Sequence, residues 1–359
     1  MKTIVGFGEV MVRLSPVGPA AFGDGNLIQL HAGGSEANVL AKVGGLAPGL
    51  QTRLVTAFRD DLAGRALAAD LQRSGVGLET VRWTDDGRNG VYYVEQGLGP
   101  IVARVDYDRA ESAVARMEPD ASLFDGLETA QTFFISGITP ALSDRARRNT
   151  ALALDRAKAN GVPVFFDVNF RKKLWSPQDA GQALSAYLAD GLITCLITTE
   201  TDARTVFGID KGVDDESPMS VLIERSQEVL TALRERFQQA CPHFVLTVRK
   251  RITNETGEWT TVALLSDGQS LVGDAFDYVI VDRPGAGDAC TAGLIGGYLG
   301  VTPDGGLDEG RSLADRFQIG LNLGNRMAVV AQKTVGDLGP VLPAQMYYNR
   351  VSGRKEIAR

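Results

Sequence analysis

The sequence predicts an α/β fold: a parallel-sheet core flanked by helices, with a small β-sheet lid. Short apolar runs alternate with longer amphipathic segments along most of the 359 residues, a pattern typical of parallel βαβ units. Two turn-rich stretches, residues 12–31 and 83–110, break this alternation. The alternation predicts the core, and the two interruptions are the candidate lid segments.

Apolar runs predict buried strands, and segments with helical periodicity predict the helices between them. The predicted strands are residues 3–5, 53–57, 132–136, 162–167, 192–198 and 244–248. The predicted helices are residues 36–43, 63–74, 143–160, 177–188 and 218–239. Gly75 and Gly161 each follow a predicted helix, where glycine commonly ends the helix.

The two interruptions have the composition of β-hairpins. Residues 91–95 and 101–107 lie on either side of a segment that contains glycine and proline, which is a hairpin signal. The pattern leaves two interpretations open: one small sheet over the site, or two unrelated surface hairpins. We expect the core to comprise residues 1–11, 32–81 and 111–350, the lid residues 12–31 and 82–110, and a flexible tail residues 351–359.

Composition and missing motifs exclude several classes of protein. A net charge of −7 and a pI of about 5.1 argue against general binding to nucleic acid or anionic membranes, which need basic surfaces. No apolar run is long enough to span a bilayer, and Cys195, Cys241 and Cys290 form no C-x-x-C pair. The sequence also lacks a G-x-S-x-G elbow and a P-loop. We expect a cytoplasmic protein with reduced thiols that binds neither nucleic acid nor membrane.

A glycine-rich turn before an apolar helix is the strongest local signal. Gly285, Ala286 and Gly287 carry little or no side chain, and an apolar run that begins at Tyr278 precedes them. Their N–H groups can converge at a helix N-terminus, which favours an anion such as a transferring phosphoryl group. Asp288, in the first helical turn, could then orient a hydroxyl nucleophile and accept its proton. Taken alone, the segment is equally consistent with an ordinary capped turn.

A second glycine motif lies far upstream, at Gly33-Gly34-Ser35-Glu36-Ala37-Asn38. Adjacent glycines allow the backbone to approach a ligand closely. Asn38 falls one turn into the predicted helix, where its amide could bond a ligand hydroxyl.

The two motifs resemble the signatures of the PfkB, or ribokinase-like, family of carbohydrate kinases. The early G-G-x-x-x-N and the late G-A-G-D segments occur in the family's order, and the resemblance runs from about Thr3 to Leu342. It implies a ribokinase-like core with a β-sheet lid, Asp288 as the catalytic base, and residues 285–287 as an anion hole. It also implies ATP, Mg²⁺ and, in many members, a stimulating monovalent cation such as K⁺.

Further segments are similar to those of the 2-keto-3-deoxygluconate kinases within this family. Residues 281–288 match V-D-R-x-G-x-G-D, residues 167–175 match D-x-N-x-R-x-x-L-W, and residues 331–337 match A-x-K-x-x-G-D. The resemblance implies substrate contacts from Gly34, Asn38, Tyr92, Tyr107, Arg109, Asn169 and Arg171.

The arginines favour an acidic substrate on chemical grounds. Guanidinium binds carboxylate through paired, charge-assisted hydrogen bonds, so Arg109 and Arg171 at one site would favour a sugar acid over a neutral sugar. Family kinases of neutral sugars usually carry an aspartate where this chain has Arg13. The alternative is that Arg109 and Arg171 are ordinary surface residues.

Two segments depart from the family pattern. The magnesium-organising N-x-x-E motif is replaced by Thr199-Glu200-Thr201-Asp202, so Glu200 and Asp202 either hold magnesium through water or cap the next helix. The segment after the late strand is longer and more basic than the usual V-K-x-G-x-x-G. Within it, Arg249 either approaches the ATP phosphates or belongs to a solvated basic loop.

The sequence therefore predicts ATP-dependent phosphorylation of 2-keto-3-deoxygluconate, or its galactonate epimer, at the 6-hydroxyl. Two alternatives are a kinase of a neutral sugar such as fructose or ribose, and a sugar-acid-binding protein that has lost catalysis. The exposed lid sheet also favours a homo-oligomer formed through the lid.

Overall fold

The structure is a computed structural model that describes residues 1–18, 20–25, 27–97, 101–212, 214–237 and 240–351. Its strands are β1 (Lys2–Phe7), β2 (Met11–Pro16), β3 (Ile28–Gly33), β4 (Leu50–Arg59), β5 (Val81–Thr84), β6 (Val91–Glu95), β7 (Arg104–Asp108), β8 (Thr132–Ser136), β9 (Val164–Asp167), β10 (Cys195–Thr199), β11 (His243–Arg251), β12 (Thr256–Leu264), β13 (Ser270–Val272) and β14 (Phe276–Val279). Its helices are α1 (Ser35–Gly44), α2 (Leu62–Arg73), α3 (Ala113–Arg116), α4 (Ile138–Ala141), α5 (Asp144–Ala159), α6 (Pro177–Ala189), α7 (Glu200–Phe207), α8 (Met219–Phe237), α9 (Ala286–Tyr298), α10 (Leu313–Gln332) and α11 (Ala344–Arg350), with 3₁₀ turns at Ala121–Phe124 and Leu127–Thr129. Residues 352–359 of the predicted tail, and residues 238 and 239 of a predicted helix, lie outside the described residues.

A ten-stranded sheet forms the core, in the order β13-β12-β11-β10-β9-β8-β1-β4-β5 with β14 paired to β12. The neighbours from β11 to β5 run parallel, and β8 is buried at every residue, as expected of a sheet covered on both faces. The predicted parallel core is confirmed, and every predicted strand overlaps an observed one.

The second sheet is the lid, with strand order β3-β2-β6-β7. Strand β2 pairs antiparallel with β3 and parallel with β6, and β6 pairs antiparallel with β7. The two interruptions therefore build one sheet, and the alternative of unrelated hairpins is wrong. The second lid segment begins after the predicted residue 82, because residues 82–84 belong to the large sheet. Here β5 pairs with β4, and Trp83 packs on Phe58 with ring centroids 5.6 Å apart.

The chain after β11 contains structure that the sequence analysis does not predict. Strands β11 and β12 form a long hairpin, and β13 and β14 both pair with β12. Helix α10, 20 residues long, packs against α9. A Cβ on Gly293 or Gly297 of α9 would collide with the facing α10 backbone at Gly324 or Gly320. This close approach fixes α9 and thereby the position of its N-terminus.

The carboxyl ends of β8, β9, β10 and β11 lie along one edge of the core sheet, since these strands are parallel neighbours. Ligands of parallel α/β sheets bind at this edge. No helix within the described ranges is long and apolar enough to cross a bilayer.

Candidate active site

The N-terminus of α9 is built on a left-handed glycine. Gly285 is the N-cap, with φ of 87°, a conformation that other residues rarely adopt. A Cβ at Gly285 would also lie 2.8 Å from the Asp337 carbonyl oxygen. A Cβ on Gly287 would meet nothing within 4 Å, so the turn faces open space. The first-turn N–H groups have no partner within the helix and are available to an anion.

Asp288, in the first turn of α9, is oriented by α1. Ser35 Oγ donates to Asp288 Oδ1 at 2.8 Å, and Asn38 Nδ2 donates to Asp288 Oδ2 at 2.7 Å. The two glycine motifs, far apart in sequence, therefore meet at this carboxylate. Two neutral donors fix its orientation, and a carboxylate retains further acceptor capacity for a third donor. A general base needs both properties.

Gly34 is required by a close backbone approach rather than by its φ of 178°. A Cβ at Gly34 would collide with the carbonyl oxygen of Glu9, in the loop after β1. The Gly34 N–H donates to Asn38 Oδ1 at 3.4 Å. The glycine thus allows α1 to begin directly beside the end of β1, where Asn38 reaches Asp288.

The segment after β9 brings a further amide and carboxylate to the same place. Asn169 has φ of 40°, which asparagine tolerates better than most residues. Its Nδ2 lies 3.3 Å from Ser35 Oγ and 3.4 Å from Asp167 Oδ2. Burial, followed by the charges of Asp288 and Asp202, raises the pKa of Asp167 well above its ordinary value. Burial and nearby negative charge therefore both oppose ionisation of the Asp167 carboxyl.

A cavity of about 940 Å³ opens beside the glycine turn. Its volume lies within the range of typical small-molecule sites, about 300–1,000 Å³. The predicted site residues in its lining are Asn169, Arg171, Glu200, Asp202, Arg249, Gly285, Ala286, Gly287 and Asp288. Among the described residues that line it, none belongs to the lid.

Arginine side chains also line the cavity, among them the predicted Arg171 and Arg249. Arg249, from β11, places its guanidinium carbon 5.1 Å from the ring centroid of Trp259, a cation–π arrangement that holds it in place. Arg171 is exposed. Burial raises the pKa of Asp202, and the charge of Arg171 opposes that rise. The cavity therefore presents guanidinium groups for an anionic ligand and carboxylates for a cation.

In the altered metal motif, Thr199, Glu200 and Asp202 each make a different contact. Thr199 Oγ1 accepts the Asp202 N–H at 3.0 Å and so caps α7. Glu200 pairs with Arg204 at 3.0 Å. The capping role that the sequence left open for Glu200 and Asp202 is carried by the Thr199 side chain, and the Asp202 carboxylate lines the cavity.

The predicted lid residues form one group. The Tyr92 and Tyr107 rings stack, with centroids 5.6 Å apart and 18° between their planes. The guanidinium carbon of Arg109 lies 5.7 Å from the Tyr107 centroid, and Arg109 pairs with Glu9. Glu9, which the sequence analysis does not single out, is buried, and its Oε1 has no hydrogen-bond partner.

Beneath the lid lies a buried ionic network that the sequence analysis misses. Arg13 pairs with Asp282 and with Asp337, each at 2.6 Å, and Tyr92 Oη donates to Asp337 Oδ2 at 2.7 Å. Although burial opposes its charge, the Asp337 and Asp282 carboxylates raise the pKa of Arg13. The available signal was an arginine in an otherwise apolar strand, which requires a buried acid.

Lys42 is a second unpredicted charge, one helical turn after Asn38. It is 2% exposed, and its Nζ donates to the carbonyl oxygens of Asp337 and Leu338, both at 2.7 Å. Burial lowers the pKa of Lys42 to about 8, against the opposing effect of the Asp288 and Asp337 charges. The signal here was a lysine within the apolar run of α1.

Comparison with known proteins identifies the family of this chain. The profile of pfkB family carbohydrate kinases matches residues 1–336. A 2-dehydro-3-deoxygalactonokinase of Haloferax volcanii is 33% identical over 84% of this chain and 94% of its own length. A 2-dehydro-3-deoxygluconokinase of Thermoproteus tenax is 27% identical over 86% of each chain. The crystal structure of a 2-dehydro-3-deoxygluconokinase from Thermotoga maritima matches with a TM-score of 0.84 at 26% identity, covering 98% of this chain and 99% of that one.

The chain belongs to the pfkB family of carbohydrate kinases, because the family profile covers nearly all of its length. It is therefore a phosphotransferase that acts on a sugar hydroxyl.

Proposed function

We propose that this enzyme transfers the γ-phosphoryl group of ATP to the 6-hydroxyl of 2-keto-3-deoxygluconate or its galactonate epimer. The observation that carries the proposal is the Asp288 carboxylate, oriented by Ser35 and Asn38 beside a glycine turn that faces open space. The arginines at the cavity and in the lid, and relatives named for both epimers, support the acidic substrate.

Proton transfer is assigned to Asp288. The substrate hydroxyl donates its hydrogen bond to this carboxylate, and the proton moves to it as the oxygen attacks the γ-phosphorus. The bond between the γ-phosphorus and the bridging oxygen breaks, and ADP leaves. Ser35 and Asn38 hold the carboxylate throughout, so its orientation need not be established at the moment of reaction.

Charge on the transferring group is assigned to the glycine turn and Arg249. The N–H groups of residues 285–287 supply fixed partial charges at a helix N-terminus, where they stabilise equatorial phosphoryl oxygens. Arg249, held against Trp259, adds a cation at the cavity wall. Lid closure over the site would exclude water, which otherwise competes with the sugar hydroxyl as the acceptor.

No cluster of three or more metal-binding side chains occurs among the described residues, so we assign magnesium to the cavity acids through water. Burial raises the pKa values of Asp167 and Asp202, and a hard cation with oxygen ligands would offset the cost of burying their charges. Asp202 would hold Mg²⁺ through water, with Glu200 adding negative charge nearby. When bound, the ion would neutralise β- and γ-phosphate charge.

Arg109 and Arg171 are assigned to the substrate carboxylate, with Gly34, Asn38, Asn169, Tyr92 and Tyr107 holding the rest of the sugar acid. Residues 12–31 and about 85–110 form the lid in this proposal, and the remaining described residues form the core. A guanidinium can bind a carboxylate through two parallel hydrogen bonds, which a neutral sugar cannot offer.

The test is a coupled assay of ADP production with Mg-ATP and four acceptors: 2-keto-3-deoxygluconate, its galactonate epimer, fructose and ribose. We expect the wild type to turn over the keto acids. In Arg171→Gln their KM should rise by about 10-fold or more, because a charge-assisted hydrogen bond to the substrate is lost. Arg225→Gln, on the surface of α8 and paired with Glu228, should behave like the wild type. Turnover confined to fructose or ribose would overturn the acidic substrate, and binding of a keto acid without turnover would favour the non-catalytic alternative.

Three secondary features complete the proposal. Cys195, Cys241 and Cys290 are free and buried, which supports a reducing compartment such as the cytoplasm. Lid strand β3 exposes Ile28 and Leu30, which supports a homo-oligomer formed through the lid, to be measured by light scattering. Stimulation by K⁺ stays a prediction, checked by replacing K⁺ with a tetraalkylammonium ion in the assay.

A further inference from the structure

Buried charges tie the lid to the turn that carries the anion hole. Arg13, on lid strand β2, is 0% exposed, and its guanidinium pairs with Asp282 and with Asp337, both at 2.6 Å. Asp282 lies just before the glycine turn in sequence, and the Asp337 carbonyl oxygen packs against Gly285. One lid arginine therefore holds both segments that frame the turn.

Two more lid side chains reach the same carboxylates. Tyr92 Oη donates to Asp337 Oδ2 at 2.7 Å, and Gln96 Nε2 donates to Asp282 Oδ1 at 2.5 Å. From the core, the Gly336 N–H donates to Asp282 Oδ2 at 2.9 Å. We call Arg13, Tyr92, Gln96, Asp282 and Asp337 the lid–turn network. Each of its carboxylates is bound by donors from the lid, while its backbone belongs to the core.

The network is poorly explained as a device for stability alone. Burying charges has a large desolvation cost, and apolar replacements of buried ion pairs are often neutral or stabilising. A buried ion pair is better suited to enforcing one geometry, because any displacement leaves a charge without its partner. Here the enforced geometry is the position of the lid relative to the glycine turn.

We propose that the lid–turn network is the link through which the position of the lid sets the geometry of the glycine turn, with Arg13 as a positioning residue. Arg13 lines no part of the cavity and has no hydrogen bond to Asp288 among the described contacts. It acts through Asp282 and Asp337. When a bound sugar draws the lid onto the core, the glycine turn adopts the geometry that binds the γ-phosphate. In return, a phosphate bound at the turn favours the closed lid. Binding of sugar and nucleotide is therefore cooperative, by the same factor in each direction.

The experiment measures how much one ligand tightens the other. Calorimetry gives the Kd of the keto acid with and without Mg²⁺ and a non-hydrolysable ATP analogue, in the wild type, Gln96→Ala and Arg13→Lys. Lysine is a point charge that cannot bridge two carboxylates as guanidinium does. We expect the analogue to tighten keto-acid binding about 5-fold or more in the wild type, and this factor to fall toward 1 in both variants. The Kd of each ligand alone should change less than about 2-fold, because neither residue is assigned to a ligand.

Glu95→Ala is the matched control. Glu95 neighbours Gln96, but its Oε1 accepts the Phe22 N–H within the lid, so the wild-type factor should remain. Gln96 is only partly buried, so Gln96→Ala stays informative if Arg13→Lys fails to fold. A wild-type factor near 1, or an undiminished factor in Gln96→Ala, would overturn the proposal. A purely structural network would instead lower the melting temperature and leave the factor unchanged.

The inference rests on the proposed function only for its sugar-acid ligand, and a second measurement separates the two. If the wild type binds no keto acid, the proposed function fails, and hydrogen–deuterium exchange of the unliganded protein still tests the network. The amides of residues 283 and 285–289 should then exchange faster in Gln96→Ala than in the wild type and Glu95→Ala. Equal exchange in all three proteins would overturn the link between lid and turn.

Discussion

Replacing Lys42 with methionine should change how the stability of the protein depends on pH. Burial lowers the pKa of Lys42 from its ordinary 10.5 to about 8. Between these two values the unfolded chain holds a proton that the folded protein has released, so the free energy of unfolding rises with pH across this window. Below pH 8 the folded protein carries the full penalty of a buried ammonium, and methionine removes the charge at nearly constant length.

The magnitude follows from the two pKa values. One pKa unit corresponds to about 1.4 kcal/mol, and roughly two units of the Lys42 penalty disappear between pH 7 and pH 10. The wild type should therefore gain about 2–3 kcal/mol of unfolding free energy relative to Lys42→Met over this interval. The absolute difference at pH 7 is harder to assign, because methionine also leaves the carbonyl oxygens of Asp337 and Leu338 without the Lys42 donor. Titrating groups that do not interact with Lys42 cancel in the comparison.

The assay is urea unfolding of both proteins at pH 7, 8, 9 and 10. Lys158→Met is the control, because Lys158 is exposed on α5, and its stability is compared with that of the wild type at the same four pH values. Parallel dependence on pH for the wild type and Lys42→Met would refute the reasoning, since it would mean that Lys42 keeps its ordinary pKa despite burial.

Three further predictions concern the core, the helix pair and the nucleotide. Burial raises the pKa of Glu36 to about 7 despite hydrogen bonds from Ser136 and Thr139, so the free energy of unfolding falls as pH rises toward 7. The stability of Glu36→Gln relative to wild type should therefore be about 2–3 kcal/mol greater at pH 8 than at pH 5. A difference in urea unfolding that does not depend on pH would contradict this. Gly297→Ala should lower the free energy of unfolding by about 1–3 kcal/mol, because its Cβ would meet the Gly320 backbone. An unchanged melting temperature would show that α9 and α10 can move apart without loss of stability. Arg249→Ala should raise the KM for ATP by about 10-fold or more and leave the KM for the sugar acid unchanged, and steady-state kinetics with an unchanged KM for ATP would remove Arg249 from the nucleotide site.

Periodicity was sufficient to predict the parallel core, but it left open whether the two interruptions form one lid sheet. Buried parallel strands read as continuous apolar runs, and β8 was predicted with its observed bounds. The antiparallel extension after β11 was missed because its strands follow a charged, turn-rich segment whose pairing depends on distant partners. Most of strand β5 was assigned to the lid because residues 83–110 were interpreted together as short strands separated by turns, and only its pairing with β4 reveals its sheet.

The candidate site, like the fold, was predicted only in part. Glycines and an aspartate at fixed spacing can be recognised locally, so Asp288, Gly285 and Gly287 were singled out from the sequence. The partners of Arg13 were not found, because Asp282 and Asp337 come to it from distant parts of the chain. Lys42 and Glu9 were missed for the same reason. A charged residue in an apolar segment indicates that it has a buried partner, but not which residue that partner is.

The most direct test of the account is the activity of Asp288→Asn. Asparagine preserves the size of the side chain and removes its ability to accept a proton, and Asp277→Asn, at an exposed position of β14, is the matched control. With Mg-ATP and the keto acid that the wild type uses, the account predicts a kcat about 100-fold or more below wild type, a keto-acid Kd within a few-fold of wild type, and a normal control. A kcat within a few-fold of wild type would contradict the assignment of Asp288 as the base.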